Sequence, residues 1–340
     1  MNETASRYSR QIKLPEIGQL GQQKLNNAKV LIVGMGGLGC PAAQYLTAAG
    51  VGTLGLLDHD KVDITNLHRQ ILYTEDNIGQ PKAEAAQQYL EKLNSDTCFH
   101  TYIENLNTEN AISIIEKYDI IIDGTDNFQT KYLINDACLL TKKPWIYASI
   151  YKYEGQLSVF NYKNGPTYRC LFPKAPKSDV SCEETGVIGV LPGILGTYQA
   201  TEAIKLILEL GDPLSGKLKI IHTLTMQEQV ISFQRNEASV KNIINKPLTL
   251  EAVQCQVNDN EKMYLDVREP HEQPQPENKN IIKIPLSQLG DRHREIPNQK
   301  PVYVYCQSGI RSKKAIEFLN ETFDFTNLIN VEGGIQKILK

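Results

Sequence analysis

Residues 29–39 read KVLIVGMGGLG, and the fold turns on this stretch. Lys29–Gly34 has the unbroken apolar run of a strand buried on both faces, as strands of a parallel sheet are. Gly34, Gly36 and Gly39 then make a G-x-G-x-x-G loop, with a helix expected from about Leu38. In that setting the glycines let backbone approach phosphate closely, and the helix N-terminus favours the negative charge. Thr53–Asp58 reads as a second strand. Its last residue, Asp58, follows Gly39 by 19 positions, where a carboxylate can accept a ribose hydroxyl. Taken alone, these residues suit NAD or FAD.

Short apolar runs alternate with helical patterns on either side, the signature of a parallel sheet flanked by helices. Pro81 opens a helix through Leu93, since proline suits a first helical turn. Tyr118–Asp123 reads as a strand and Phe128–Leu140 as a helix. Pro144–Ile150 and Gln156–Tyr162 read as strands, the second in a hairpin. From Pro173 the polar segment PKAPKSDVSCEE is expected to be a mobile loop. A long apolar helix and the strands Leu218–His222 and Gln229–Gln234 follow. Residues 236–247 (NEASVKNIINKP) form a polar break. The expected organisation is therefore a Rossmann-like α/β domain with a mainly parallel sheet over 1–235, a linker over 236–247, and a small α/β domain over 248–340. In the latter, Lys262–Val267 and Pro301–Tyr305 read as strands and Arg311–Asn320 as a helix.

The chain has 340 residues, 41% hydrophobic and 22% charged, room enough for two soluble domains. Its net charge of -3 and the lack of a basic tract speak against a nucleic-acid partner. The opening MNETASRYSRQIKL has no signal-peptide core. Val187–Leu210, the most apolar stretch, is broken by Pro192, Glu202 and Lys205, so it reads as a buried helix and not a membrane span. A cytoplasmic protein is expected.

Further motifs move the ligand from NAD to ATP. Asp58 begins DHDKVDITNLHRQ, which ends at Gln70; Gly79–Lys82 reads GQPK, Asp123–Phe128 reads DGTDNF, and Arg7–Gln11 reads RYSRQ. Hydride transfer needs few cations, whereas a triphosphate needs several, with a carboxylate for magnesium. Arg10, Arg69, Lys82 and Asp126 supply that set. By itself Asp126 could equally cap the helix at Phe128.

In this order, R-Y-x-R-Q, G-x-G-G-L-G-C, D-x-D-x-V-x-x-x-N-L-x-R-Q, G-x-P-K and D-x-x-D-N resemble the molybdopterin-synthase and thiamine-pathway adenylyltransferases of the ubiquitin-activating superfamily, across residues 7–235. The resemblance implies that Gly37 and Asp58 contact ATP. It implies the same for Thr65, Asn66, Leu67, His68 and Arg69 of the third motif, with His68 read as a neighbour of Arg69 and not as a base. Lys82, Asp126 and Asn127 complete the set, with Asp126 holding magnesium. It also implies a homodimer in which Arg69 reaches the neighbouring subunit's site.

Seven scattered cysteines, at 40, 98, 138, 170, 182, 255 and 306, are no disulfide framework. Cys306 ends a strand and begins CQSGIRS, a strand–loop–helix that points backbone N–H groups at the sulfur, with Arg311 adding positive charge. Arg311 stands one position too close for the C-x5-R loop of a phosphatase. With Leu265–Glu269 (LDVRE) and Glu332-Gly-Gly, the segment resembles a rhodanese domain over roughly 262–335, in which Cys306 carries a persulfide. Cys182 occupies the place of the family's crossover-loop cysteine, where a covalent or relay role is implied, although Glu183 and Glu184 disfavour its thiolate. Many relatives bind zinc through two C-x-x-C pairs. Here Cys170 is the lone cysteine of the first, and none stands near Asn236, so no structural zinc is expected. The sequence stops at GGIQKILK, short for the last rhodanese helix.

The function expected is adenylation of the C-terminal glycine of a small ubiquitin-like sulfur carrier, followed by sulfur transfer from Cys306 to give a thiocarboxylate. Molybdopterin synthesis is the first pathway considered; thiamine synthesis and tRNA thiolation use the same chemistry. The sulfur donor is thiosulfate or a cysteine desulfurase. An NAD-dependent oxidoreductase rests only on the glycine loop and Asp58. A carrier-binding scaffold without chemistry is opposed by Arg10, Arg69, Lys82, Asp126 and Cys306 occurring together.

Overall fold

The computed structural model describes residues 7–174, 186–246, 248, 263–270, 272–276, 280–298, 300–331 and 334–335. They fall into two compact units that divide after Glu251. No helix among the described residues is long and apolar enough to cross a membrane.

The first unit is built on one eight-stranded sheet. Its strands are β1 (Lys29–Val33), β2 (Thr53–Leu57), β3 (Cys98–Tyr102), β4 (Ile120–Asp123), β5 (Trp145–Tyr151), β6 (Glu154–Phe160), β7 (Lys217–His222) and β8 (Gln227–Ser232). The spatial order is β3-β2-β1-β4-β5-β6-β7-β8. The first five strands are parallel, and β6, β7 and β8 extend them antiparallel. Along β1, Val30 and Ile32 enter the core on one face of the sheet, while Leu31 and Val33 enter the core on the other. That two-sided burial is why β1 reads as one continuous apolar run.

The helices that cover the two faces include α1 (Gly18–Asn27), α2 (Gly39–Ala49), α3 (Lys82–Leu93), α4 (Phe128–Leu140) and α5 (Val190–Leu208). Chain order reverses at β1, which lies between β2 and β4. Val33 is level with Leu57 on one side and Asp123 on the other, so three strands end together at the switch point. In open α/β sheets that crevice is where ligands bind.

Within residues 236–247, expected to be a linker, the described part is helical. Glu237–Ile244 forms a helix, α6, capped by Asn236, whose side chain accepts from Ala238 N and Ser239 N. Val240, 2% exposed, and Ile243 pack with Leu139 of α4. Two apolar residues three positions apart are enough to fasten a polar segment by one helical stripe.

The second unit holds β9 (Met263–Asp266), β10 (Ile281–Lys283), β11 (Val302–Tyr305) and β12 (Leu328–Asn330), all parallel in the order β10-β9-β11-β12. Helix α7 (Ile310–Phe323) buries Ala315 and Leu319 in a core with Leu265, Val302 and Val304.

Candidate functional site

Gly34 carries φ +92, and a Cβ there would lie 2.8 Å from the Gly124 backbone. A side chain on Gly39 or Gly124 would run into the Gly34 carbonyl oxygen. The glycine loop after β1 and the loop after β4 therefore touch backbone to backbone. That contact shapes one wall of a cavity of about 490 Å³ at the switch point.

Gly37, Asp58, Thr65, Asn66, Arg69, Lys82, Asp126 and Asn127 all line this cavity. Asp58 accepts from Met35 N at 2.7 Å and Asp60 N at 2.8 Å. Burial pushes its carboxyl above the ordinary aspartate value, against the pull of Lys82. Lys82 is itself buried, with Nζ 3.0 Å from Asp60 Oδ2. Asn66 closes a capping box with Asp63. Arg69 lines the cavity of its own chain and donates from Nη1 to the Thr65 carbonyl at 3.0 Å.

Asn127 caps α4, its Oδ1 accepting from Thr130 N at 2.9 Å. Asp126 is exposed at the cavity wall with no part in that cap. A cavity-wall carboxylate without a hydrogen-bond partner among the described residues is of a kind that suits Mg²⁺, which keeps waters and takes few protein ligands.

Three expected contacts do not line the cavity. Leu67 packs against the hydrophobic core. His68 donates from Nδ1 to the Thr65 carbonyl at 2.9 Å. Arg10 is exposed on the short helix Ser9–Ile12. In a single chain, Arg69 and Lys82 stand alongside Lys61, a cation that sequence reasoning had passed over.

Two further residues were also passed over. Gln70 lines the cavity, is 3% exposed, and leaves Oε1 without a hydrogen-bond partner among the described residues. An unpartnered buried polar atom on a cavity-lining residue is a candidate ligand contact. Lys131 is buried beside Asp123, its Nζ donating to Asp123 Oδ2 and to the carbonyls of Thr125 and Ala148. Gln70 ends a motif already visible in sequence; Lys131 carried no signal beyond its distance from Asp123.

The second unit has its own centre. Cys306 follows β11, and Gly309, at φ +92, turns the chain into α7. Gly309 N lies 3.1 Å and Ser312 Oγ 3.6 Å from Cys306 Sγ. Burial raises the thiol pKa. Hydrogen bonds from the Ser312 hydroxyl and from the N–H groups of Ser312, Ser308 and Gly309 outweigh it and hold the thiol below its ordinary value. Arg311, expected to add positive charge, forms a bidentate pair with Glu272, at 2.6 Å on each oxygen, and also interacts with the Cys306 sulfur. Arg268 is buried on Asp266 and reaches Gln307 of the cysteine loop at 3.3 Å. Gly334, at φ +63, backs the loop; a Cβ there would strike the carbonyls of Cys306 and Gln307.

Cys182 and the first two residues of Glu332-Gly-Gly lie outside the described residues, as does the end of the chain beyond Ile335. Cys170, the lone cysteine at the expected first C-x-x-C position, has its Sγ accepting from Thr167 N at 3.4 Å and Asn236 N at 3.2 Å. One thiol engaged in this way does not fit a tetrahedral zinc site.

A model of the ThiF family matches residues 8–242, and a model of the rhodanese-like domain matches 249–340. Adenylyltransferase and sulfurtransferase MOCS3 of Culex quinquefasciatus is 45% identical over 267 residues, covering 78% of this chain and 58% of that protein. The chain thus spans less than two thirds of that relative. MOCS3-1 of Drosophila pseudoobscura pseudoobscura is 37% identical over 374 residues, covering 98% of this chain and 83% of that protein. Among solved structures, E. coli MccB with ATP is 25% identical with a TM-score of 0.60, over 68% of this chain and 72% of that one. The chain belongs to the ThiF family, and a rhodanese-like domain follows its ThiF unit.

Proposed function

We propose that this chain adenylates the C-terminal glycine of a small ubiquitin-like sulfur carrier and converts it to a thiocarboxylate through Cys306. One observation carries the reading: a single cavity at the carboxyl ends of β1, β2 and β4 gathers the glycine loop, Asp58, Arg69, Lys82 and an uncommitted Asp126. The MOCS3 relatives bear the same pair of activities in their names, and E. coli MccB has been solved with ATP.

In the first stage a carrier carboxylate oxygen attacks the α-phosphorus of ATP, and the bond to pyrophosphate breaks. The glycine-loop N–H groups and the α2 N-terminus receive the phosphates. Asp58 accepts a ribose hydroxyl. Lys82 and Arg69 offset the phosphate charge as the leaving group departs, so catalysis is mostly positioning and electrostatics. Asp126 is the residue to hold Mg²⁺, which neutralises phosphate charge when bound.

In the second stage the terminal sulfur of a Cys306 persulfide attacks the acyl carbon, and AMP leaves. A thiol then attacks Cys306 Sγ, releasing the carrier thiocarboxylate and leaving a disulfide; Cys182 is proposed for that role. The protein is proposed to work in the cytoplasm, as a homodimer, without nucleic acid or membrane. Molybdopterin synthesis is the proposed pathway, with the sulfur supplied by a cysteine desulfurase or thiosulfate.

Carrier-dependent ATP–pyrophosphate exchange tests the first stage. Asp126→Ala is expected to abolish it with the fold intact, and near-normal exchange by that variant would falsify the assignment. Cys306→Ala is expected to keep exchange and lose thiocarboxylate, read as the gain of about 16 Da when sulfur replaces oxygen on the activated carboxyl.

A further inference from the structure

Two guanidiniums attend the cysteine loop, and both are matched by carboxylates. Arg268 is buried on Asp266. Arg311, five residues after the cysteine, is partly exposed, yet each of its terminal nitrogens lies 2.6 Å from an oxygen of Glu272. Glu272 is fixed in turn by the Glu269 N–H at 2.8 Å. On the outer side of the loop, Lys313, Lys314 and Glu317 line an open depression with Ser308 and Gly309. At Arg311 an arriving donor therefore meets an ion pair in which the Glu272 carboxylate offsets the guanidinium charge, beside the cations Lys313 and Lys314.

We propose that Glu272 is a specificity-determining residue for the sulfur donor: by pairing Arg311 it withholds positive charge from the Cys306 loop and selects against small anionic donors in proportion to their charge. The proposal rests on reading Cys306 as the persulfide carrier. With thiosulfate, the Cys306 thiolate attacks the sulfane sulfur, the S–S bond breaks, and sulfite leaves with the electron pair. An aryl thiosulfonate gives the same persulfide and an arylsulfinate. Neither step needs an added oxidant or reductant. The two donors deliver the same atom to the same sulfur and differ in charge, the first a dianion and the second a monoanion.

The full chain is assayed for sulfur transfer to cyanide from thiosulfate and from benzenethiosulfonate. Glu272→Gln keeps the side-chain shape and frees the Arg311 charge. The KM for thiosulfate is expected to fall about fivefold and that for benzenethiosulfonate about twofold, because each donor charge adds a similar Coulomb increment. Glu272→Asp keeps the charge and should hold the ratio of the two KM values at the wild-type level; it carries the test alone if the glutamine variant does not fold. Equal shifts for both donors, no shift, or a changed ratio in Glu272→Asp would overturn the proposal. If wild-type chain forms no Cys306-dependent persulfide from either donor, the reading of Cys306 fails and the proposal fails with it. A normal persulfide with an unmoved donor ratio removes Glu272 alone.

Discussion

Lys131, 2% exposed, directs its ammonium at Asp123 and at two backbone carbonyls. Breaking a buried pair of this kind from one side commonly costs about 3–5 kcal/mol. Lys131→Met is therefore expected to destabilise the first unit by roughly that amount in urea denaturation, while Asp126→Ala, at an exposed position, should change stability by less than about 0.5 kcal/mol. A similar loss for both would contradict the burial argument. At Cys306 the hydrogen bonds, and Ser312's first among them, oppose burial and depress the pKa. Thiolate absorbance should thus rise at a lower pH than for an ordinary cysteine, and Ser312→Ala should move that rise upward. Arg311 holds the Glu272 carboxyl down, from 4.5 to about 2. A depressed carboxyl stabilises fully above its unfolded value and loses that contribution as pH falls through the folded one. The stability gap between wild type and Glu272→Gln should accordingly close between pH 4.5 and about 2, and a gap unchanged across that window would refute the pairing. Sequence exposed Cys306 and Asp126 because their neighbours form contiguous motifs. It hid Glu272, whose partner lies 39 positions away, and Lys131, whose role depends on a carbonyl of a different strand.

Among the elements, β1 and its loop were legible because the strand is buried on both faces and leaves an unbroken apolar run. β3 was not: Cys98–Tyr102 lies at the sheet edge, no residue in it is buried, and CFHTY shows no apolar run. β10 and β12 are three residues each, too short to leave a pattern. α6 left little trace in the sequence because its segment reads as polar, while Val240 and Ile243 meet Leu139. This packing makes a direct prediction about where the first unit ends. A chain cut after residue 235 should unfold at a lower temperature than one cut after Leu248, since it loses the helix and leaves Leu139 uncovered. Equal melting temperatures would return residues 236–246 to the role of a linker. The glycine contact across the switch point is equally testable. Gly34→Ala must place a Cβ 2.8 Å from Gly124 at a φ that alanine resists. It should lower both stability and ATP affinity, and a variant with wild-type ATP affinity would show that the loop can relax.

At the level of the whole molecule, one chain carries the proposed nucleotide site in its first unit and the proposed nucleophilic sulfur in its second. The proposed homodimer can be probed through Arg69, which here lines the cavity of its own chain. If Arg69 acts across the interface, mixing Arg69→Ala with Asp126→Ala subunits restores part of the exchange activity, because one hybrid site is then wholly wild-type. Mixed dimers that form and stay inactive would assign Arg69 to its own subunit. The sulfur of Cys170 has a different consequence. It ties the short helix Tyr168–Leu171 to the cap of α6 by accepting the N–H groups of Thr167 and Asn236. A junction fastened in this way is predicted to need no metal. Chelator treatment, or expression under zinc starvation, should leave the melting temperature of this chain where it was, and a chelator-induced drop would mean that a metal holds the junction after all.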